Sequence, residues 1–441
     1  MMSMNMQEID KLITIDGGIL EGGGQIIRNT TALSHILHKP ILIQNIRAGR
    51  ENPGLRAQHL SGVVLLSMLP SRYEYQSLLS DCQVGSSKFT YLPVISKKRE
   101  ECENTHQNGI VRCEKTNTSP PEVKIMYLEN ETSIELSADC MTAGATTLMI
   151  QSSLCPLLYF DSNGKNVKVI YKGGTNVDFS PPFEQVSEVF LPLLKKYFLK
   201  DLNALEIELE CKQRGFFPKG KGQVELIMTK NADANLKGKC LSPMYLIDRG
   251  ETISKIVLKL FYTEKEYENI AEKIEQAFKF EFEKHFPEHK FRDTPIIVTK
   301  ERVTNNPARS RVIFGNAFMY DTNEQCVFEA SFHSKDFSKK TKKQHSDFKV
   351  DDHIVFVKTL IQHLKKNWQE QGCVDEHVQD QIIIFMALAK GTSRVRTGPL
   401  TLHTQTAIHY CQIMTGVTFK VESQENGSVI LECEGAGVAL K

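Results

Sequence analysis

One order of elements recurs along the 441-residue chain and restricts its fold more than any other feature. Apolar spacing predicts helices at about 142–160 and 375–389, and each is followed by a strand, a loop rich in glycine or proline, a second helix and two strands. The N-terminal stretch, residues 12–68, resembles this order loosely. Such repetition predicts an internally triplicated α/β body.

A segment of different character separates the second unit from the third. Residues 235–372 are predicted to contain four strands and two long, lysine-rich amphipathic helices. We therefore expect an α/β (α+β) fold, in which 1–234 and 373–441 form a large domain of three repeated βαβαββ-like units and 235–372 form an inserted smaller α/β domain. Two polar stretches, 97–122 and 334–349, are expected to be flexible surface insertions.

The composition excludes several classes of protein. Lys and Arg total 54 against 53 for Asp and Glu, so the chain is not a uniformly basic protein that coats nucleic acid. Its longest apolar run, residues 382–389, is too short to span a bilayer, and no membrane partner is expected. The first residues lack an apolar signal core, and the 11 cysteines include no C-x-x-C pair. We expect a reducing compartment, and the basic runs KKREE and KKTKK favour the nucleus over the cytoplasm.

The segment DGGILEGGGQIIR, residues 16–28, joins a predicted strand to a predicted helix. Consecutive glycines allow backbone N–H groups to approach an anion, and the helix N-terminus adds the positive end of a dipole. The segment matches neither the Walker loop nor G-x-G-x-x-G, so the glycines alone favour a tight structural turn. Glu21 and Arg28 change that balance, because an acid beside a phosphate can hold Mg²⁺ and an arginine one turn into the helix can pair with phosphate.

Other segments carry candidate groups with less local support. Arg47, Arg50 and Arg56 lie at a strand-to-helix junction in IRAGRENPGLRAQH, which suits phosphate recognition, although solvated surface arginines are an equal alternative. Gln151 stands out in a predicted core helix, but a lone glutamine does not indicate a function. His403 precedes a predicted helix in GPLTLHTQTAIH, a position that favours a neutral, nucleophilic imidazole. Because the chain has 13 histidines, spacing alone does not select His403.

Together, these motifs resemble those of one family, the RNA 3′-terminal phosphate cyclases. The resemblance rests on EGGGQIIR, IRAGR-x-x-PGL-x-x-QH, TAG-x-x-x-L-x-x-Q, KGGTN, RGFFPKGKG, DE-x-x-x-DQ-x-x-x-x-MALA-x-G and TGP-x-TLHTQTAIH. They occur in the family's order and cover nearly the whole chain outside the two polar stretches. The last motif is most similar to the eukaryotic branch that keeps the catalytic histidine.

The resemblance implies a reaction, its cofactors and its partners. It implies ATP-dependent conversion of an RNA 3′-terminal phosphate to a 2′,3′-cyclic phosphate, through a histidyl-AMP and an RNA-(3′)pp(5′)A intermediate. The implied cofactors are ATP and Mg²⁺ or Mn²⁺, and the implied partner is an RNA with a 3′-phosphate end.

The family's functional residues fall on named positions of this chain. The resemblance places the nucleophile on His403 and the metal-binding acid on Glu21. His377 stands where the family often has a tyrosine stacked on adenine, so weaker stacking is expected. The other positions are phosphate contacts at Arg28, Arg47, Arg50, Gln58 and Gln151, and nucleotide contacts at Pro181, Asp380 and Gln381.

Two other interpretations compete with the enzyme. Cyclase-like proteins of ribosome assembly keep the fold but lack the nucleophile, so a non-catalytic RNA-binding factor is the main alternative. Enolpyruvyl transferases have a related repeated architecture but would need a different set of basic residues. An intact TLHTQTA block together with Glu21, Arg28 and Arg50 favours the enzyme.

Overall fold

The structure is a computed structural model that describes residues 12–69, 78–93, 124–130, 132–230, 236–334 and 352–441. The expected insertion at 97–122 lies outside these residues, as does all but the first residue of 334–349, so both stay predictions. Among the described residues, no helix is long and apolar enough to cross a membrane.

The first unit has the order βαβαββ. Its strands are β1 (Ile13–Asp16), β2 (Ile41–Gln44), β3 (Leu78–Ser80) and β4 (Phe89–Leu92), and its helices are α1 (Gly24–Leu37) and α2 (Ala57–Ser67). β1 and β2 are parallel, as a helical crossover requires, whereas β4 pairs antiparallel with both β2 and β3. The strand order in the sheet is β1-β2-β4-β3.

The second unit repeats this order and has one additional edge strand. The additional strand is β5 (Lys124–Glu129), and the unit continues with β6 (Ser133–Asp139), α3 (Thr146–Tyr159) and β7 (Asn166–Gly173). A continuous helical stretch follows, made of α4 (Phe183–Gln185), a π-helical turn (Val186–Phe190) and α5 (Leu191–Tyr197). The hairpin of β8 (Leu205–Gln213) and β9 (Gly222–Lys230) completes a sheet of order β5-β6-β7-β9-β8.

The third unit opens with β10 (Tyr245–Leu246) and is then interrupted by a fourth sheet. The inserted elements are β11 (Ile253–Tyr262), α6 (Glu268–His285), β12 (Ile296–Arg302), β13 (Ile313–Asp321), β14 (Val327–His333) and α7 (Asp352–Gln369). The sheet has the strand order β12-β11-β13-β14, and α6 and α7 pack against it. The domain boundaries at 234/235 and 372/373 stay predictions, and the structure adds that β10 pairs with a strand beyond this segment.

The third unit then resumes and completes the repeat. Its elements are α8 (Glu376–Gln381), α9 (Ile383–Leu388), β15 (Lys390–Thr397), α10 (Leu402–Thr415), β16 (Phe419–Ser423) and β17 (Val429–Ala436). The order β10-β15-β17-β16 matches β1-β2-β4-β3 and β6-β7-β9-β8 position for position. The predicted fold class, three repeated βαβαββ units with an inserted smaller α/β element, is confirmed.

Helices from the three units pack on one another in the centre of the body. α1 contacts both α3 and α10, and α2 contacts α3. Their shared faces are apolar and fully buried, for example at Leu33 of α1 and Ile150 of α3. Because each of these helices follows the carboxyl end of a strand, they begin on one side of the body, and binding sites in α/β proteins lie on that side.

The RGFFPKGKG motif joins the second unit to the inserted sheet. The Arg214 guanidinium forms an ion pair with Glu184 at 2.5 Å and lies over the Phe261 ring, 4.8 Å from its centroid. Lys219 Nζ donates to the carbonyl of Ala308 at 2.9 Å. These contacts hold the inserted sheet beside the loop that leads into α4.

Candidate active site

The N-terminal ends of α1, α2, α3 and α10 open onto one cleft of about 940 Å³. Each end presents backbone N–H groups without helical partners and the positive end of a dipole, so the cleft attracts anions. Every site residue named from the sequence lines this cleft: Glu21, Arg28, Arg47, Arg50, Gln58, Gln151, Pro181, His377, Asp380, Gln381 and His403. The structure thus brings them together, while their individual roles stay predictions.

The glycine-rich turn holds Glu21 against Arg50. The Glu21 side chain is only 8% exposed, and its Oε1 forms an ion pair with Arg50 Nη2, which also donates to the Glu21 carbonyl at 2.9 Å. The Glu21 N–H donates to Thr406 Oγ1 at 3.2 Å and so ties the turn to α10. Glu21 Oε2 is buried without a hydrogen-bond partner among the described residues. A buried carboxylate oxygen in this state is open to a cation.

Two of the glycines leave space that neighbouring side chains occupy. A Cβ at Gly23 would overlap the Glu21 carboxylate, and a Cβ at Gly24 would overlap His59 Nε2. The glycine run therefore does more than turn the chain. It makes room for a carboxylate and for an imidazole that comes from α2.

The donor set fits Mg²⁺ in one limited way. In the part of the chain that the structure describes, no group of three or more His, Cys, Asp or Glu side chains is placed to hold a metal ion. Mg²⁺ is, however, commonly held by one or two carboxylates together with substrate phosphates and water. The unpaired Oε2 of Glu21 meets this requirement, so Glu21 would hold the ion together with a bound phosphate.

Four arginines crowd the part of the cleft beside Glu21, and their guanidinium groups repel one another. Burial lowers the pKa of Arg47, and the charges of Arg56 and Arg50 lower it further. Burial also lowers the pKa of Arg28. A bound polyanion would relieve this repulsion and the cost of burial, so the cluster suits a chain of phosphates.

His59 belongs to this site, although the sequence reasoning did not select it. It is 5% exposed, and its Nδ1 accepts a hydrogen bond from the backbone N–H of Arg56 at 3.2 Å. Burial and the charges of Arg28, Arg47 and Arg56 lower the pKa of His59 well below its usual value. The neutral ring therefore links α2 to the glycine turn. Its only signal in the sequence was the QH pair of the second motif.

Three side chains from α1, α8 and α10 form a hydrogen-bonded chain. Gln25 Nε2 donates to Asp380 Oδ2 at 2.5 Å, and Gln25 Oε1 lies 3.3 Å from Nδ1 of His403. The Asp380 carboxylate can only accept, so the amide of Gln25 turns its oxygen to His403. That oxygen also only accepts, so the His403 Nδ1 carries a proton, and in the neutral ring Nε2 is then the nitrogen with the free lone pair. The imidazole is exposed and lines the cleft.

Gln379 anchors the loop that carries His403. Its buried amide donates to the carbonyl of Gly398 at 3.1 Å and accepts from the Thr401 N–H at 3.0 Å and Thr404 Oγ1 at 2.5 Å. Thr401 in turn caps α10 by accepting from the Thr404 N–H at 3.1 Å. These bonds fix His403 in the first helical turn. Gln379 was an unassigned position of the DE-x-x-x-DQ motif.

Gln58 and Gln151 lie on the wall formed by α2 and α3. Gln58 Oε1 accepts a hydrogen bond from the backbone N–H of Ala145 at 3.0 Å. It thereby gives a partner to an N–H group at the start of α3. Gln151 lies further along α3 and is half-buried at the edge of the cleft.

Apolar and ring-bearing side chains also line the cleft. They include Pro181, Pro182 and the fully exposed ring of Phe179. His377 and Gln381 of α8 line the same cleft, and Gln381 Nε2 donates to the His377 carbonyl at 2.7 Å. The cleft thus combines arginines that suit phosphates with side chains that suit a planar ring.

The family model of the RNA 3′-terminal phosphate cyclases matches residues 19–421, which is most of the chain. This chain belongs to the RNA 3′-terminal phosphate cyclase family. It is 33% identical to the probable RNA 3′-terminal phosphate cyclase of Dictyostelium discoideum, over 96% of this chain and 82% of that protein. It is 30% identical to the RNA 3′-terminal phosphate cyclase of Drosophila melanogaster, over 98% of both chains. The cyclase of Korarchaeum cryptofilum is 27% identical over 98% of this chain.

Asp380 of this cyclase family member is expected to make stability depend on pH. Burial raises the pKa of its carboxyl to about 6, although the charges of His403, Arg28 and His377 act in the opposite direction. Since the folded pKa lies above the unfolded one, the stabilising contribution is complete below pH about 4 and is lost as the pH rises through about 6. We expect this loss to be on the order of 2–3 kcal/mol of unfolding free energy. It should be absent in Asp380→Asn, which cannot ionise and still accepts from Gln25.

Urea unfolding across this pH range measures the effect. Burial raises the pKa of Glu329 to about 7, so Glu329 adds a separate loss at higher pH in both proteins. The difference between the two curves therefore isolates Asp380, and Glu425→Gln, at an exposed hairpin carboxyl, is the matched control. A difference curve that is flat with pH would contradict the burial of a charged Asp380.

Proposed function

We propose that this protein converts the 3′-terminal phosphate of RNA to a 2′,3′-cyclic phosphate with ATP, through a histidyl-AMP on His403 and an RNA-(3′)pp(5′)A intermediate. The observation that carries the proposal is the chain Asp380–Gln25–His403, which places the proton of a neutral His403 ring on Nδ1, in a cleft lined by arginines. Membership of the family and the names of the relatives support the overall reaction. The side-chain geometry supports His403 as the nucleophile.

In the first step, the lone pair of His403 Nε2 attacks the α-phosphorus of ATP. A nitrogen–phosphorus bond forms, the bond to the oxygen that bridges to the β-phosphate breaks, and pyrophosphate leaves with the electron pair. The Nδ1 proton stays hydrogen-bonded to Gln25, and the positive charge that develops on the ring is stabilised through Gln25 by the Asp380 carboxylate. The arginine cluster stabilises the charge on the leaving group.

The next two steps transfer the adenylyl group and close the ring. An oxygen of the RNA 3′-phosphate attacks the histidyl phosphorus, the nitrogen–phosphorus bond breaks, and His403 Nε2 regains its lone pair. The 2′-OH then attacks the terminal RNA phosphorus and loses its proton, and AMP leaves. A phosphate monoester has no good leaving group until it is adenylylated. Ring closure is intramolecular and therefore entropically favoured.

Glu21 is the residue that would hold Mg²⁺ or Mn²⁺, through its unpaired Oε2. When bound, the ion supplies positive charge that neutralises phosphate oxygens. Arg50 already pairs with the other oxygen of the same carboxylate, so Oε2 is the oxygen left for the ion.

An oligoribonucleotide labelled on its 3′-phosphate tests the proposal. With protein, ATP and magnesium, we expect the label to become resistant to phosphatase while AMP and pyrophosphate form in equal amounts. A matched oligonucleotide with a 2′-deoxy terminal nucleotide should stop at the adenylylated end, because it has no 2′-OH to close the ring. A label that stays sensitive to phosphatase, with no AMP released, would instead support the non-catalytic RNA-binding factor.

A further inference from the structure

Gln185 is a fully buried side chain whose two amide atoms have no hydrogen-bond partner among the described residues. It ends α4, directly before the π-helical turn, and it lines the cleft. Buried amides in folded proteins are nearly always paired, because an unpaired one loses its bonds to water without replacement. Its neighbour Glu184, by contrast, accepts from Asn176 at 2.8 Å and pairs with Arg214. An unpaired amide in a binding cleft indicates a ligand that forms hydrogen bonds with it.

The π-helical turn after Gln185 packs against both α8 and β14, which bring further polar groups to the same end of the cleft. Gln381 Oε1 is also buried and unpaired among the described residues, and it is held as an acceptor because Nε2 donates to the His377 carbonyl. Glu329 of β14 is buried there as well and accepts from Asn316 Nδ2 at 2.8 Å. This end of the cleft therefore has a hydrogen-bonding wall.

Ring-bearing side chains line the same cleft as these groups. They are Pro181, Pro182, the exposed ring of Phe179 and the imidazole of His377, and Asp178, Ser180, Ser331 and Glu376 line it as well. A ligand that fits is a planar heteroaromatic ring with donors and acceptors along one edge, which is the chemistry of a nucleobase. The arginines of the same cleft account for its phosphates.

The free amide selects among nucleobases. A primary amide presents a donor next to an acceptor, and adenine offers the complementary pair in its amino group and a neighbouring ring nitrogen. An amide that can rotate also matches guanine, but Gln381 Oε1 is an acceptor in the same wall. An acceptor there favours the adenine amino group over the keto oxygen of guanine.

We propose that Gln185 reads the hydrogen-bonding edge of the adenine base and is a specificity-determining residue of the nucleotide site. The inference rests on the proposed function, because it places the phosphates of ATP among the arginines. The amide of Gln185, which has no partner among the described residues, forms its hydrogen bonds with the base.

A cycle that combines a variant with an altered nucleotide tests this inference. Formation of the covalent nucleotidyl-enzyme is measured for wild type and Gln185→Leu, each with ATP and with purine riboside 5′-triphosphate, which lacks the amino group. Removing the amino group should lower kcat/KM of the wild type about tenfold, mainly through KM. The kcat/KM of Gln185→Leu with ATP should be about tenfold below that of the wild type. With the analogue it should fall no further, because the variant and the analogue remove the same interaction.

A stability measurement separates recognition from a structural role. The ligand-free Gln185→Leu protein should have a higher Tm than wild type, because two unpaired buried polar atoms are removed. Gln362→Leu, at an exposed position of α7, is the matched control and should change neither Tm nor the ATP preference. Gln185→Met, which keeps the unbranched shape, repeats the cycle if the leucine variant does not fold.

The outcomes distinguish this inference from the function on which it rests. In one outcome, the wild type labels covalently and the folded Gln185 variants keep the wild-type preference for ATP over the analogue. That result overturns the role of Gln185 and leaves the proposed function intact. A wild type that forms no covalent adduct with either nucleotide overturns the proposed function and the inference with it.

Discussion

Replacing His403 by alanine should abolish covalent labelling of the protein by ATP, because its Nε2 is the nucleophile of the proposed first step. We expect a loss of at least about 10³-fold in the labelling rate, the scale seen when a nucleophile is removed. The side chain is exposed in the first turn of α10, and alanine is a good helix former, so the variant should fold. Labelling with α-³²P-ATP and a thermal melt measure the two effects.

His409 provides the control on the same helix. It lies outside the residues that line the cleft, and its ring packs edge-on against Tyr410 at 4.9 Å between centroids. His409→Ala should therefore label as the wild type does. Undiminished labelling of His403→Ala would show that another residue is the nucleophile.

Replacing Glu21 by alanine should lower the labelling rate by about 10²-fold or more, the scale of losing an electrostatic contact to a transferring phosphate. The change removes the unpaired Oε2 that would hold the ion, and it leaves Arg50 without its carboxylate partner. Extra magnesium should restore activity only in part. Glu21→Gln separates the two effects, since it can still accept from Arg50 but lacks the charge that attracts a cation.

Binding of Mn²⁺ provides a readout that does not depend on turnover. Electron paramagnetic resonance of Mn²⁺ with a non-reactive ATP analogue should show tight binding by wild type and weak binding by both Glu21 variants. Glu425→Gln, in the terminal hairpin, should bind as the wild type does. If the Glu21 variants label at the wild-type rate, the glycine-rich segment is only a structural turn.

The architecture was largely predictable from the sequence. Some strands of the structure were not predicted, and for β6 and β10 the reason can be identified. β6 contains two serines and two acidic residues in seven positions, which hides its alternation of buried and exposed side chains. β10 has two residues and is defined only by its pairing with β15, more than a hundred residues later. Without β3, β4 and β6, the first unit resembles the others only loosely, although the sheets show that all three have one strand order.

The candidate site was predictable as a set of positions but not as a set of contacts. The motifs that begin helices carry Glu21, Arg28, Arg50 and His403, and the repeated topology brings these beginnings to one cleft. Gln25, Gln185 and Gln379 were not selected in the same way. A glutamine has no characteristic pattern in a sequence, so nothing distinguished Gln185 from an ordinary helix residue.

The sequence by itself determined the fold class and the family, because apolar periodicity and the ordered motifs are properties of short segments. Only the tertiary structure decided which atoms meet. Gln25 is separated by 355 residues from Asp380 and by 378 from His403, yet it sets the proton on the histidine. Packing between distant segments also decides which nitrogen of His403 carries the proton. It likewise decides that Glu21 Oε2 and the Gln185 amide have no partner among the described residues. Burial and hydrogen bonding at these atoms arise only when separate units pack together.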